Sequence, residues 1–139
     1  MEMIRKEFNR PQDYLHTGKL IDSRLCESLR QVNTPAQKAE CIDTAHETWE
    51  LLLTNAYHEL LGLCSPKQQL ALREAQRLWL LYRDNQFASI DQVYAGLDNG
   101  ILSPDSSAAK MEITRSRALQ MLQMRDKLRK ANQQTKGKS

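Results

Sequence analysis

The chain has 139 residues, 40% of them hydrophobic and 27% charged, which fits one soluble domain able to bury a core and gives no sign of a second. With only 5 Gly, 4 Pro and 6% aromatics, a strand-and-turn architecture is disfavoured and helix is expected. The net charge of +3 sits at one end: without Arg125 to Ser139 the chain carries 14 basic and 16 acidic groups.

Residues 1–14 read as a flexible N-terminal segment, without the apolar run of a secretion signal, and no stretch approaches a membrane span. The chain as written is therefore not self-evidently exported. From Leu15 to Val32, "LHTGKLIDSRLCESLRQV" gives a helix through Leu20, Ile21, Leu25, Leu29 and Val32, its start blurred by Pro11 and Gly18. Three later helix starts share one grammar: "TPAQ" at Thr34, "SPKQ" at Ser65 and "SPDS" at Ser103. Each sets a hydroxyl at the N-cap and proline at the first helical position, where no N–H is missed. In the first two, Gln at the third position completes a capping box.

From Pro35, one stripe runs through Ile42, Ala45, Trp49, Leu52, Leu53, Ala56, Tyr57, Leu60 and Leu61 and ends near Gly62. From Pro66, the stripe expected to face the core is Leu70, Ala71, Ala75, Leu78, Trp79 and Tyr82, with a continuation to the break at Gly96 to Gly100. From Pro104 it is Ala108, Met111, Ala118, Met121, Leu122, Arg125 and Leu128. The sum is an all-α, four-helix antiparallel bundle-like single domain over residues 15–124, its short connections favouring antiparallel neighbours. Residues 125–139 read as a basic C-terminal tail, a solvated helix end more than a nucleic-acid contact.

Catalytic apparatus is not visible. His46, Glu47 and Glu50 in "AHETWE" share a helix face but do not form HExxH, so a charged outer face is expected there and no metal site. His58 beside Glu59 has no nucleophile near it in sequence, and Cys64 before "SPKQ" reads as a packing cysteine. No phosphate loop, nucleotide fingerprint or GxSxG occurs, and no cofactor is implied. The informative run is "LREAQRLWLLYRDNQF", in which Gln76, Trp79 and Arg83 share one side of a helix. If that side packs on the last helix, Arg83 approaches Thr114 and Arg117, with Asp84, Glu112 or backbone carbonyls between the two arginines. An internal hydrogen-bonded seam is the preferred reading, and an exposed Trp/Arg contact surface the alternative.

These residues also carry a resemblance. Leu72, Ala75, Gln76, Arg77, Trp79, Tyr82, Arg83 and Asp84 match in register the "L-x-x-A-Q-R-x-W-x-x-[YF]-R-D" run of the LprI-like lysozyme-inhibitor family. Glu50, Leu53, Thr54 and Tyr57 are similar to its "D-x-x-L-N-x-x-Y" element, and Thr114 with Arg117 to its "T-x-x-R" element. Two cysteines common in the family are here Phe87 and Ala109, while Cys26 and Cys41 resemble a retained upstream pair. The resemblance implies a Cys26–Cys41 bridge, closing a short loop worth about 3 kcal/mol. It further implies a periplasmic or secreted protein of the bacterial envelope that binds a protein and catalyses nothing. The partner in the sharpest version is a lysozyme, whose cleft carboxylates a protruding loop would occlude. Asp98, Asn99 and Asp105 mark the candidate contact loop. The runner-up is an intracellular, cytoplasmic adaptor whose basic tail meets nucleic acid or an anionic surface; a bridge would favour the first and free thiols the second.

Overall fold

A computed structural model describes residues 14–97 and 103–136, and among them the elements are four helices and no strand. They are α1 (Tyr14–Arg30), α2 (Pro35–Leu63), α3 (Pro66–Leu97) and α4 (Pro104–Lys136). Residues 1–13 of the N-terminal segment, and Asp98 and Asn99 of the candidate contact loop, lie outside the described residues.

The caps form as their chemistry requires. The Thr34 hydroxyl accepts from the Gln37 N–H at 3.2 Å, and the Gln37 side chain accepts in return from the Thr34 N–H. Ser65 and Gln68 repeat this exchange at the start of α3. Ser103 accepts from the Asp105 N–H at 3.1 Å, which opens α4 and leaves Asp105 exposed in its first turn, where an anion suits the helix dipole. Gly18 does not delay α1: it is buried inside the helix, where a Cβ would stand 3.1 Å from a Leu119 methyl and 3.5 Å from the Trp49 ring. Its missing side chain lets α1 lie close to α2 and α4.

The core lies mainly between α2 and α4. Trp49, Ala56, Ala118, Met121 and Leu122 have no exposed surface, and Leu52, Leu53 and Leu60 are buried beside them. Ile21 joins the core from α1, with Leu25 and Leu29 packed against it. The chain direction follows from the cross-helix contacts. His46 meets Thr114 and Glu59 meets Arg125, so α2 and α4 run parallel. Gln76 meets Arg117 and Asp91 meets Lys110, so α3 runs antiparallel to α4, as α1 does through Asp22 and Arg115. Helices adjacent in sequence thus alternate in direction, yet the tightest pairing joins the parallel α2 and α4, which the short connections did not predict.

One expectation is corrected. The stripe expected to face the core from α3 is largely on the outside: Leu70 is 69% exposed and Leu78 and Tyr82 about half exposed, while Gln76 is the buried residue of the helix. The reason is that α3 packs chiefly on α4 alone, so it needs one narrow inner arc, which Leu72, Gln76, Trp79 and Arg83 supply. The last helix runs on to Lys136, and Arg125, expected on its inner stripe, is buried. Cys26, Cys41 and Cys64 stand unbridged in this structure. Cys26 lies about 100° round α1 from Leu25 and is exposed, whereas Cys41 lines a groove between α1 and α2.

Candidate functional site

The residues singled out in the sequence gather where α3 crosses α4. Gln76 and Arg117 face each other, and the Arg117 Nε donates to the Gln76 side-chain oxygen at 3.1 Å. A second Arg117 nitrogen donates to Gln120 one turn along α4, at 3.2 Å. Burial holds the Arg117 guanidinium below its ordinary pKa, though it stays charged at any physiological pH. The Trp79 ring lies between two guanidinium groups, with Arg117 at 5.8 Å and Arg83 at 5.7 Å from its centroid. Both distances suit cation–π attraction, which here ties two like charges to one ring.

Arg83 does not reach Thr114 or Arg117 through a hydrogen bond. It turns to its neighbour Asp84, donating to one carboxylate oxygen at 3.3 and 3.1 Å, and stands 5.7 Å from the Phe87 ring. Glu112, the other acid expected between the arginines, instead accepts from Arg115 and Ser116. Thr114 is fully buried and belongs to a different pair: its hydroxyl shares a 2.7 Å hydrogen bond with His46 Nε2. His46 is therefore not part of a charged outer face. Its side chain is only 13% exposed, and its ring meets Phe87 edge-on at 5.6 Å. Burial lowers the His46 pKa, outweighing Glu50 and Asp43, which raise it, while Arg83 and Lys110 push the same way as burial.

Phe87 thus occupies the middle of the seam, touching His46 from α2, Arg83 from α3 and Lys110 from α4. Lys110, next to Ala109, completes the join with an ion pair to Asp91 at 2.5 Å. Of the two positions that resemble lost family cysteines, Phe87 supplies an aromatic contact, and Ala109 stands beside the ion-paired Lys110. Sequence reasoning missed His46, Phe87, Lys110 and Asp91. The signal was there for Lys110, which stands four and seven residues before Thr114 and Arg117 on one face of α4.

Two further charge clusters stitch α4 to its neighbours. Arg115 binds Asp22 of α1 through two hydrogen bonds, 3.1 and 2.7 Å long, and its guanidinium lies 5.4 Å from the Trp49 ring. The bond to Asp22 is the main reason its pKa is raised. The Trp49 indole N–H has no hydrogen-bond partner, a cost of about 1–3 kcal/mol for a buried donor. Near the other end, Glu59 accepts from Arg125 and Arg129, and Arg125 also donates to Asp126 at 2.9 Å. These basic groups, read from sequence as the start of a solvated helix end, are engaged with Glu59 of α2.

The arrangement offers a polar seam whose cations Arg83 and Lys110 are about a quarter exposed. Thr114 and His46 have the spacing of a nucleophile and base, but a hydroxyl with no exposed surface has no access to substrate. Among the described residues no group of three or more His, Cys, Asp or Glu side chains could hold a metal ion, and no helix is long and apolar enough to cross a membrane.

Compared with known families, residues 26–121 match the family described as Lysozyme inhibitor LprI. The matched range takes in all of α2 and α3 and every residue of the seam described above. No curated protein and no solved structure matches the chain.

Proposed function

We propose, for a chain that belongs to the lysozyme inhibitor LprI family, that it acts by binding another protein in the bacterial envelope, outside the cytoplasm, and catalyses nothing. Its sharpest form is inhibition of a lysozyme-type hydrolase. The observation that carries the proposal is the family match across the whole α3–α4 seam. The chemistry of the seam supports it: Arg83 and Lys110, paired with Asp84 and Asp91, each keep 26% of the side chain exposed and lie 5.7 and 5.9 Å from the Phe87 ring centroid. Their partners Asp84 and Asp91 are the more exposed members of each pair, so carboxylates of a partner surface, such as those of a lysozyme cleft, can take the place of Asp84 and Asp91 beside the aromatic ring. Asp105, exposed at the start of α4, stays the described member of the candidate contact loop.

The adaptor reading finds less support. It draws on a basic tail, and Arg125 and Arg129 are spent on Glu59 and Asp126, leaving Lys127 and Lys130 as the exposed cations of that stretch among the described residues.

Cell-wall lysis by a lysozyme, followed while purified protein is titrated in, tests the proposal. Dose-dependent inhibition is expected, weakened about tenfold by Arg83→Gln with Lys110→Gln, measured well below the melting temperature of the variant so that loss of fold is separated from loss of contact. Undiminished lysis at a large molar excess of protein would remove lysozyme as the target. Equal inhibition by the double variant would move the contact surface away from the seam.

A further inference from the structure

The outer face of α3 is the least explained surface of the molecule. Leu70 is 69% exposed, Leu81 52% and Leu78 51%, on the side of the helix turned away from Gln76, Trp79 and Arg83. Scattered exposed leucines need no explanation, but several on one arc of one helix mark a contact surface. The charges interleaved with them say what kind.

Lys67, Leu70, Glu74, Arg77, Leu81 and Asp84 follow one another at alternating steps of three and four, the spacing of a coiled-coil seam. The order of these six is self-complementary when reversed. If a second copy of α3 lies antiparallel, with the two-fold axis between Ala75 and Gln76, Leu70 of one copy meets Leu81 of the other. Glu74 meets Arg77, and Lys67 meets Asp84. Every pairing then occurs twice, apolar to apolar and acid to base, as a two-fold interface demands. The parallel arrangement has no such match, because it sets Glu74 against Glu74 and Arg77 against Arg77.

We infer that the chain associates with a second copy of itself through the outer face of α3, antiparallel, with Leu70 and Leu81 exchanged and Glu74 paired across the axis with Arg77. The Glu74–Arg77 pair already formed within each helix, at 2.7 Å, becomes a four-charge cluster at the centre of the interface. Two leucines per copy in a seam otherwise charged make the dimer weak, with a dissociation constant on the order of 100 µM, and salt-sensitive. Asp84, which also holds Arg83, is shared with the α3–α4 seam, whereas Leu70, Glu74, Arg77 and Leu81 lie on the other side of the helix, so variants at Glu74 and Arg77 test the association separately from hydrolase binding.

Sedimentation equilibrium of the full chain from 10 to about 500 µM reads the mass directly, and charge exchange tests the register. Glu74→Arg sets four arginines together and Arg77→Glu four glutamates, so each variant alone is expected to dissociate at least about tenfold more readily. An equimolar mixture of the two is expected to recover dimer, since each carries the complement of the other. Both positions are more than half exposed, so the variants are expected to fold, which circular dichroism checks. A wild-type chain that stays monomeric across the range overturns the inference, and so do variants that dimerise as wild type or fail to recover on mixing.

Discussion

The α2–α4 and α3–α4 interfaces share one helix and are built from opposite materials. Between α2 and α4 the contact is apolar and closed: Trp49, Met121 and Leu122 are fully buried, and the polar groups within it, Thr114 and Arg125, each find a partner on α2. Between α3 and α4 the contact is a single row of polar and aromatic groups, with Gln76 the buried residue of α3. Apolar burial stabilises in proportion to area, whereas hydrogen bonds and ion pairs exchange against water for a smaller net gain. The first interface therefore holds the fold, and the second sets where α3 sits and leaves charged groups at hand for a partner.

Substitutions can break or sharpen that contrast. Trp49→Ala is expected to have the largest effect, about 3–5 kcal/mol of stability, because it empties the centre of the apolar interface; a urea melt measures it. Trp79→Ala removes a half-buried ring and frees two guanidinium groups, and about 2 kcal/mol is expected. If Trp79→Ala cost as much as Trp49→Ala, the two interfaces would be equals and the contrast would fail. Thr114→Val keeps shape and loses the hydroxyl bonded to His46, for about 1 kcal/mol. Leu78→Ala, on the exposed face of α3, is expected to change stability by less than about 0.5 kcal/mol.

The His46 contact also predicts a pH dependence. Its folded pKa is lowered from 6.5, chiefly by burial, so below that value the unfolded chain takes up a proton that the folded chain resists. Stability is full above pH 6.5 and falls as the pH drops through the folded pKa. Melting temperatures from pH 8 to 5 are expected to decline over this window in the wild type and less steeply in His46→Gln. Parallel curves for the two proteins would exclude His46 as the sensor.

How much was legible in the sequence differs between the same regions. The three caps were readable because each is made within four residues, and their hydroxyls and glutamines bond as the spacing requires. The stripes of α2 and α4 were readable because each helix has one apolar arc. In α3, leucines occur on both sides: Leu72 packs on the core while Leu70 and Leu78 face solvent. Periodicity alone could not choose between the arcs. Gln76 and Trp79 were placed together from their spacing and Asp84 was among the acids named for Arg83, but the approach of Arg83 to Thr114 and Arg117 is not made by a hydrogen bond, since Asp84 beside it offers a nearer carboxylate.

The local code by itself determined the number of helices, where the three capped ones begin, and the inner face of the two that form the core, because propensity, capping and a single apolar stripe act over a few residues. The tertiary structure alone decided that α2 and α4 pair in parallel, that His46 meets Thr114 across 68 positions, and that Arg115 and Arg125 are bound to Asp22 and Glu59. Those choices rest on which faces remain once the largest apolar surfaces have met, and no short stretch of sequence contains that information.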